Sequence, residues 1–384
     1  MDHRVYVIKC PDYDHVEQRL TNLLALMGGM APFASPGETI VLKPNLLQAA
    51  PPEKAITTHP SVVAAVARMV EEQGATAVIA DSPGSGYRYN EKTLDRVYRT
   101  CEMDAAAEKT GARLNLDTTY SAVSFPQGKL VKRFEVITPV LQADAVFNLC
   151  KLKTHVLTGI TGAIKNLFGV IPGLTKPGYH AKLREKDHFS GALLDLAACV
   201  SPRLSIIDAV VGMEGEGPGA GAPRQIGLLL AATNPLALDV VASEIIGLPR
   251  ENNPLLIEAE KRDLHPNRLD EIELVGADIA DLRIPDFALP STFLSGTGIS
   301  VWWQKALVSM FRGTLSVTPR VRREQCIACG VCRDACPVHA ITIIEGKHAC
   351  IDKRKCIRCY CCHEMCPHDA IELHTSPLYR IVNR

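Results

Sequence analysis

Two rhythms of apolar positions alternate along the first 290 residues. The short runs "RVYVIK", "ETIVLKPN", "ATAVIADSPGSG", "DAVFNLCKLKTH", "RLSIIDAVVG" and "QIGLLLAAT" are rich in Val, Ile and Leu. Turn residues close most of them, which predicts buried strands. Between them, "HVEQRLTNLLALM", "HPSVVAAVARMVEEQG", "HFSGALLDLAACV" and "NPLALDVVASEIIG" carry apolar residues at helical spacing. Pro60 near the start of the second and Gly74 after its end are helix punctuation. Apolar strands separated by helices predict an α/β domain over residues 1–290, with a mostly parallel sheet covered on both faces. Residues 291–318 read as a linker, first Gly/Ser-rich and then an amphipathic helix carrying Trp302, Trp303, Leu307 and Phe311. That helix is expected to dock the two ends of the chain together, with attachment to a membrane surface as the alternative. Residues 319–384 form a separate, small α+β domain.

In open α/β sheets, ligands bind beyond the carboxyl ends of the strands. Four strand-end loops are therefore candidates: Lys43, Pro44 and Asn45; the run Asp81 to Gly86; Lys151 to His155; and the Gly-rich stretch Asp208 to Gly221. Side chains alternate in an extended strand, so Lys151, Lys153 and His155 are expected to share one face. Two ammonium groups and an imidazole on one face call for an anion, a phosphate or a carboxylate. The next segment, "TGITGAIKNLFGVIPG", adds Lys165 and Asn166 near a helix start, where free backbone N–H groups also favour anions. Lys43, Asn45, Lys151 and Asn166 are expected to bind such a substrate. Lys153, His155, Lys165, Asp81 and Asp208 are the candidates for catalysis, the two aspartates as proton carriers. A solvated basic strand end is the competing reading, since lysine is commonly exposed. "GEGPGA" runs into a strand rather than a helix, so it fails as a dinucleotide fingerprint and reads as a mobile loop or lid. No P-loop motif occurs. His155, His180 and His188 lack any metal-binding spacing, and Cys150 reads as a buried thiol at a strand end rather than a nucleophile.

Cysteine usage changes the picture most. Ten of the fourteen cysteines lie after position 325. "CIACGVCRDACP" and "CIRCYCCHEMCP" share the frame C-x2-C-x2-C-x3-C-P and form an internal repeat. This is the run of bacterial two-cluster ferredoxins, in which the fourth cysteine ligates the other cluster. Cluster one is expected on Cys326, Cys329, Cys332 and Cys366; cluster two takes Cys356, Cys359, Cys362 and Cys336. Zinc prefers two separated pairs closing one tetrahedral site, unlike two quartets that each end in Cys-Pro. Disulfides belong to oxidising compartments, and the N-terminus shows no apolar signal region. Cys361 and Cys350 fall outside the ligand frame, and Cys361 is expected to pack beside a cluster.

Composition narrows the rest. Formal net charge is zero, which speaks against a general nucleic-acid binder. No run of apolar residues is long enough for a transmembrane helix, and scattered single thiols fit a reducing cytoplasm.

The combination of "VLKPN", "TTHP", "ADSPG", "NLCKLKTH", "GAIKNLFGVIPG" and "DAVVGMEGEGPGAG" with a terminal "CIRCYCC" resembles the uncharacterised domain family 362, fused to a two-cluster ferredoxin. The resemblance spans nearly the whole chain. It implies an iron–sulfur protein of anaerobic-type metabolism and supplies no reaction. The leading expectation is an oxidoreductase that exchanges electrons between a redox partner protein and an anionic small molecule. The alternatives are an electron carrier or maturation protein whose α/β domain only docks a partner, and a ligand sensor that uses its clusters structurally.

Overall fold

The computed structural model describes residues 2–293, 317–344 and 346–374, so the helix predicted around Trp302, Trp303, Leu307 and Phe311 lies outside the described residues. The predicted strands form β1 (Arg4–Lys9), β2 (Thr39–Lys43), β3 (Thr76–Ile79), β7 (Ala145–His155), β9 (Leu204–Glu214) and β10 (Ala222–Ala232). They are joined by strands that the apolar pattern did not announce: β4 (Arg113–Leu114), β8 (Gly159–Thr161) and β11 (Glu273–Val275). All nine belong to one sheet with the order β11-β1-β10-β9-β7-β2-β3-β4, and β8 folds back on β7. Only β10 and β8 run antiparallel to their neighbours. The pair β5 (Tyr120–Ser124) and β6 (Arg133–Ile137) stands apart.

Alternate residues of the central strands enter opposite cores, as period-two geometry requires. Ile40, Leu42, Phe147 and Leu149 face α1 (Val16–Ala25), α2 (Pro60–Glu72), α3 (Glu91–Thr100) and α4 (Met103–Thr110). Val41 and Val146 face the other side, where α8 (Lys186–Val200) and α10 (Pro254–Lys261) pack. Cys150 and Leu152 also lie on that side, under α9 (Pro235–Ile245). Both faces of the sheet are covered, which is why its strands are apolar throughout.

The strands end at different levels. Lys43, the last residue of β2, pairs with Asn148 of β7, and Leu42 pairs with Ile79 of β3. β7 runs on for seven further residues, from Leu149 to His155. Its basic end therefore overhangs the mouth between β2 and β3. α6 (Ala163–Asn166) and α7 (Thr175–Lys182) close the same end of the sheet.

Residues 317–374 build two small antiparallel pairs, β12 (Thr318–Val321) with β15 (Ile371–His374) and β13 (Ile341–Ile344) with β14 (His348–Ile351). Two single-turn helices, Val331–Asp334 and Cys361–Glu364, lie within the cysteine runs. They pack against the α/β part of the chain through Ala335, Cys361 and Met365, which meet Tyr87 and Leu47. Among the described residues no helix is long and apolar enough to cross a membrane.

Candidate functional site

The C-terminal ends of β2, β3 and β7 open into a cleft of about 480 Å³, counting its mouth. Lys43, Asn45, Asp81, Lys153, His155, Lys165 and Asn166 all line it, although they come from four separate stretches of sequence. Lys176 and His180 of α7 join them, as does Glu364 from the second cysteine run. The basic end of β7 is not a solvated edge: Lys153 is 0% exposed and His155 1%.

A chain of hydrogen bonds holds the floor. Lys153 Nζ donates to Asn45 Oδ1 (3.0 Å) and to Ile56 O (2.6 Å). Asn45 Nδ2 donates to Asn166 Oδ1 (2.9 Å), and Asn166 Nδ2 to Asn148 Oδ1 (2.8 Å). Lys43 pairs with Asp81 at 2.8 Å, and the other oxygen of Asp81 accepts from Leu46 N. This pair lies against Gly169, where any Cβ would strike both side chains. The glycine of "IKNLFG" is therefore a matter of space. Lys176 Nζ is caged by Ser82 O (2.7 Å), Pro83 O (2.6 Å) and Ser82 Oγ (3.1 Å).

Burial sets the electrostatics, because a low-dielectric surrounding disfavours the charged form. It pulls the Lys176 ammonium down to about 7 and Lys153 well below the ordinary lysine range, with Lys165 adding to the second effect. Lys165 is lowered for the same reason. Glu364 is raised by burial, with Lys165 opposing. His155 Nδ1 accepts from Leu157 N (3.1 Å) and Thr158 N (3.4 Å), so the proton of the neutral ring sits on Nε2. That nitrogen lies 3.3 Å from Glu364 Oε1 but forms no aligned hydrogen bond with it; both atoms are buried. His155 is thus built as a neutral donor rather than a base, since its free lone pair is already used by backbone N–H groups.

The structure does not bring Lys151 and Asp208 to this cleft. The pairing of β7 with β9 shifts register between Lys151 and Lys153. Lys151 Nζ turns to Asp208 Oδ2 (2.8 Å) and Tyr13 Oη (2.8 Å), forming a separate buried cluster beneath the stacked rings of Tyr13 and His59. Every polar atom of that lysine and aspartate has a partner, which accounts for them as structural groups. Glu364 and Lys176 escaped the sequence reading, and His180 entered it only as a metal ligand that its spacing did not support. "TKPGYHAK" lacks any chemical signature, and Glu364 was hidden among ligand cysteines. The Gly-rich stretch is packed rather than free. Gly217 O accepts from Val156 N, Pro218 lines the cleft, and Gly219 lies so close to Glu364 O that a Cβ would clash.

The cysteine runs fold back on each other. Cys326, Cys329, Cys332 and Cys366 converge on one pocket walled by Ile327, Ile343, Ala349 and Ile371. Cys362 is raised by burial and by its neighbours Cys359, Cys356, Cys332 and Cys336. Among the described residues, no three His, Cys, Asp or Glu lie close enough together to hold a single metal ion; thiolates around a cubane sit on a wider cage. Backbone N–H groups of Ala349, Ala340 and Ala370 point at the sulfurs of Cys326, Cys336 and Cys366 at 3.2–3.3 Å, a donor set suited to anionic sulfur. The repeat extends to the backbone. Ala328, Gly330 and His339 have positive φ, as do Arg358, Tyr360 and Asp369, thirty positions on in each case. Non-glycine residues rarely adopt this conformation, so the two loops share one unusual shape. Cys361 is fully buried against Tyr87, Ala335 and Met365, and Cys350 is exposed on β14.

Comparison with known proteins gives three findings. Residues 40–244 match the domain of unknown function DUF362, and residues 319–342 match a 4Fe-4S binding domain. A thylakoid-associated protein of Synechocystis sp. is 33% identical over 278 residues, covering 72% of this chain and 83% of that protein. The lactate racemase apoprotein of Thermoanaerobacterium thermosaccharolyticum has a TM-score of 0.39 and 9% identity; the match covers 64% of this chain and 57% of the racemase chain.

Proposed function

The chain belongs to the DUF362 family of domains of unknown function and carries a 4Fe-4S binding domain, and from the cleft that these two parts share we propose an iron–sulfur oxidoreductase acting on an anionic small molecule. The observation that carries this reading is Glu364. It sits on the one-turn helix Cys361–Glu364, whose Cys362 belongs to the second quartet, and its carboxyl group lines the basic cleft. The electron-carrying and substrate-binding parts thus meet within a few residues.

We assign two [4Fe–4S] clusters, one to Cys326, Cys329, Cys332 and Cys366, the other to Cys356, Cys359, Cys362 and Cys336. The repeated backbone shape of the two loops supports both. When bound, such clusters supply or accept single electrons. The residues of the cleft do the remainder. Lys165 and the Nε2–H of His155 hold the substrate anion. Lys43, Asn45, Asp81 and Asn166 keep the floor rigid. Lys153 and Lys176, whose ammonium groups burial makes more acidic, supply or take the proton that accompanies reduction or oxidation. A redox partner protein exchanges electrons with the cysteine-rich domain. The scattered single thiols Cys10, Cys101, Cys150 and Cys199 support a reducing, cytoplasmic setting, whereas the cyanobacterial relative is named for its thylakoid association.

The test is anaerobic purification with iron and sulfide analysis, followed by chemical reduction and spectroscopic observation of reoxidation as metabolite pools are added. Catalytic reoxidation by one pool is the expected result. Reoxidation by redox proteins alone would make the α/β domain a docking platform and the chain an electron carrier.

A further inference from the structure

The charges of the cleft do not balance. Four lysines (Lys43, Lys153, Lys165 and Lys176) face two carboxyl groups, Asp81 and Glu364. Lys43 and Asp81 neutralise each other at 2.8 Å. Lys153 and Lys176 are held only by neutral oxygens, those of Asn45 and Ile56 for the first and of Ser82 and Pro83 for the second. Lys165 makes no hydrogen bond or ion pair among the described residues; the Phe168 ring lies under its Nζ, 5.0 Å away at the centroid. Glu364, counted as ionised, answers one of these three ammonium groups. With all four lysines protonated, the state that a bound anion favours, two positive charges are left, and a neutral Glu364 would leave three.

The surplus is directed at a ligand and not spread over a surface. Lys153 and Lys176 are 0% and 3% exposed. Buried beside them, the hydroxyl of Thr161 lacks a partner among the described residues, and the Nε2 of His155 has only the unaligned Glu364 Oε1 at 3.3 Å; both groups line the cleft. Buried donors without acceptors are expensive, and so are buried charges without counter-charges. One small, doubly charged oxyanion would answer all of them.

We propose that the cleft binds a small dianion, a phosphoryl group or a dicarboxylate, and takes up protons as it does so. This names the substrate class of the oxidoreductase reading and rests on that reading for the site's role. The proton uptake follows from how the lysines are held. Burial lowers Lys176 to about 7 and depresses Lys153 and Lys165 in the same direction. An anion set against them restores their preference for the charged form. Of the other titratable groups facing the cleft, Glu364 is raised by burial, with Lys165 and Lys153 opposing, and the remaining three do not compete for these protons. His155 spends its Nδ1 lone pair on backbone N–H groups. His180 is stacked on Phe189 and held neutral, near 3, by burial. Asp81 is committed to Lys43. A monoanion would neutralise only half of the surplus, so charge number is the basis of selection.

The measurement is isothermal titration calorimetry on the full chain, anaerobic and with its iron retained, at pH 8 in two buffers of different ionisation enthalpy. The probes are inorganic phosphate, succinate and acetate. Phosphate or succinate is expected to bind with net proton uptake, whichever of the two is preferred, and acetate more weakly. Lys165→Met, in a protein whose iron content is unchanged, should weaken the dianion by about ten- to a hundredfold, the loss of one charge-assisted contact. Lys165→Arg should restore part of it. Acetate binding as tightly as both dianions, binding without proton uptake, or no binding by any probe would overturn the proposal. Turnover is not the readout. A dianion that binds with uptake yet never reoxidises reduced protein removes the redox reading and leaves this one; catalysis on a monoanion does the reverse.

Discussion

Single residues in the cleft separate chemistry from stability. Lys153 is buried on a strand, with two neutral acceptors and no carboxylate partner. Replacing a buried charge by an apolar side chain of similar length is often tolerated, because the desolvation cost disappears with the charge. Lys153→Met should therefore shift unfolding free energy by less than about 3 kcal/mol, because the lost desolvation cost offsets part of what stranding Asn45 Oδ1 and Ile56 O takes away. Turnover should fall by about a hundredfold or more, the share of a positioned proton donor. Comparing substrate-driven reoxidation with reoxidation by a redox protein checks this: only the first should fall. The cysteines make a sharper contrast. Cys361 touches Tyr87, Ala335 and Met365, so Cys361→Ala should leave the iron content unchanged and cost about 1 kcal/mol for a small cavity. Cys362→Ala, one position on, should lose about four irons per chain, because it removes a ligand from a complete quartet. Iron analysis of the two variants side by side decides whether the frame was divided correctly.

At the scale of elements, the cleft depends on where each one stops. β2 ends at Lys43 while β7 continues to His155, and the step between them is the cleft floor. α7 closes one wall by placing Lys176 in a cage of carbonyl oxygens. This has a consequence for stability. The folded protein holds the Lys176 ammonium near 7, whereas the unfolded chain keeps the ordinary lysine value of 10.5. Between these values the unfolded chain binds a proton that the folded one has released, so stability rises with pH from about 7 towards 10. The share of Lys176 in that slope is at most about 1.4 kcal/mol per pH unit, that of one proton. Lys176→Met should remove this share and leave a shallower slope. Denaturant midpoints at pH 7.0, 8.0 and 9.0 for both proteins provide the check, and equal slopes would show that the cage holds the charge after all.

Across the whole molecule, the two parts of the chain are joined at the cleft itself. His363 Nε2 meets Glu216 O at 3.1 Å while its Nδ1 meets Ile371 O at 2.6 Å, tying the second cysteine run to the Gly-rich loop. Gly219 approaches Glu364 O too closely for any side chain. Gly219→Val should push this contact apart, withdrawing Glu364 from the cleft without touching a cysteine. The expected result is full iron content, unchanged exchange with a redox protein and lost substrate turnover. Retained turnover would show that the cysteine-rich domain need not contact the cleft.

The chain's own order determined its elements and its cysteine chemistry. Apolar periodicity acts over a few residues, so the strands containing Ile40, Phe147 and Ile206 and the helices between them were legible without a structure. The repeated C-x2-C-x2-C-x3-C-P frame was legible because thiolate spacing along a tight loop is a local geometric requirement. The strand-end rule likewise pointed to Lys43, Asp81 and Lys153 as one end of a sheet. Tertiary structure alone decided which charges meet. Lys151 meets Asp208 and Lys153 meets Asn45, although the two lysines share one face of β7 as alternation requires. Lys176 and Glu364 entered the cleft from α7 and from the cysteine-rich domain, carried by packing between segments far apart in sequence. Such encounters leave no local pattern, because the desolvation and Coulomb terms that govern them depend on distance through space and not along the chain.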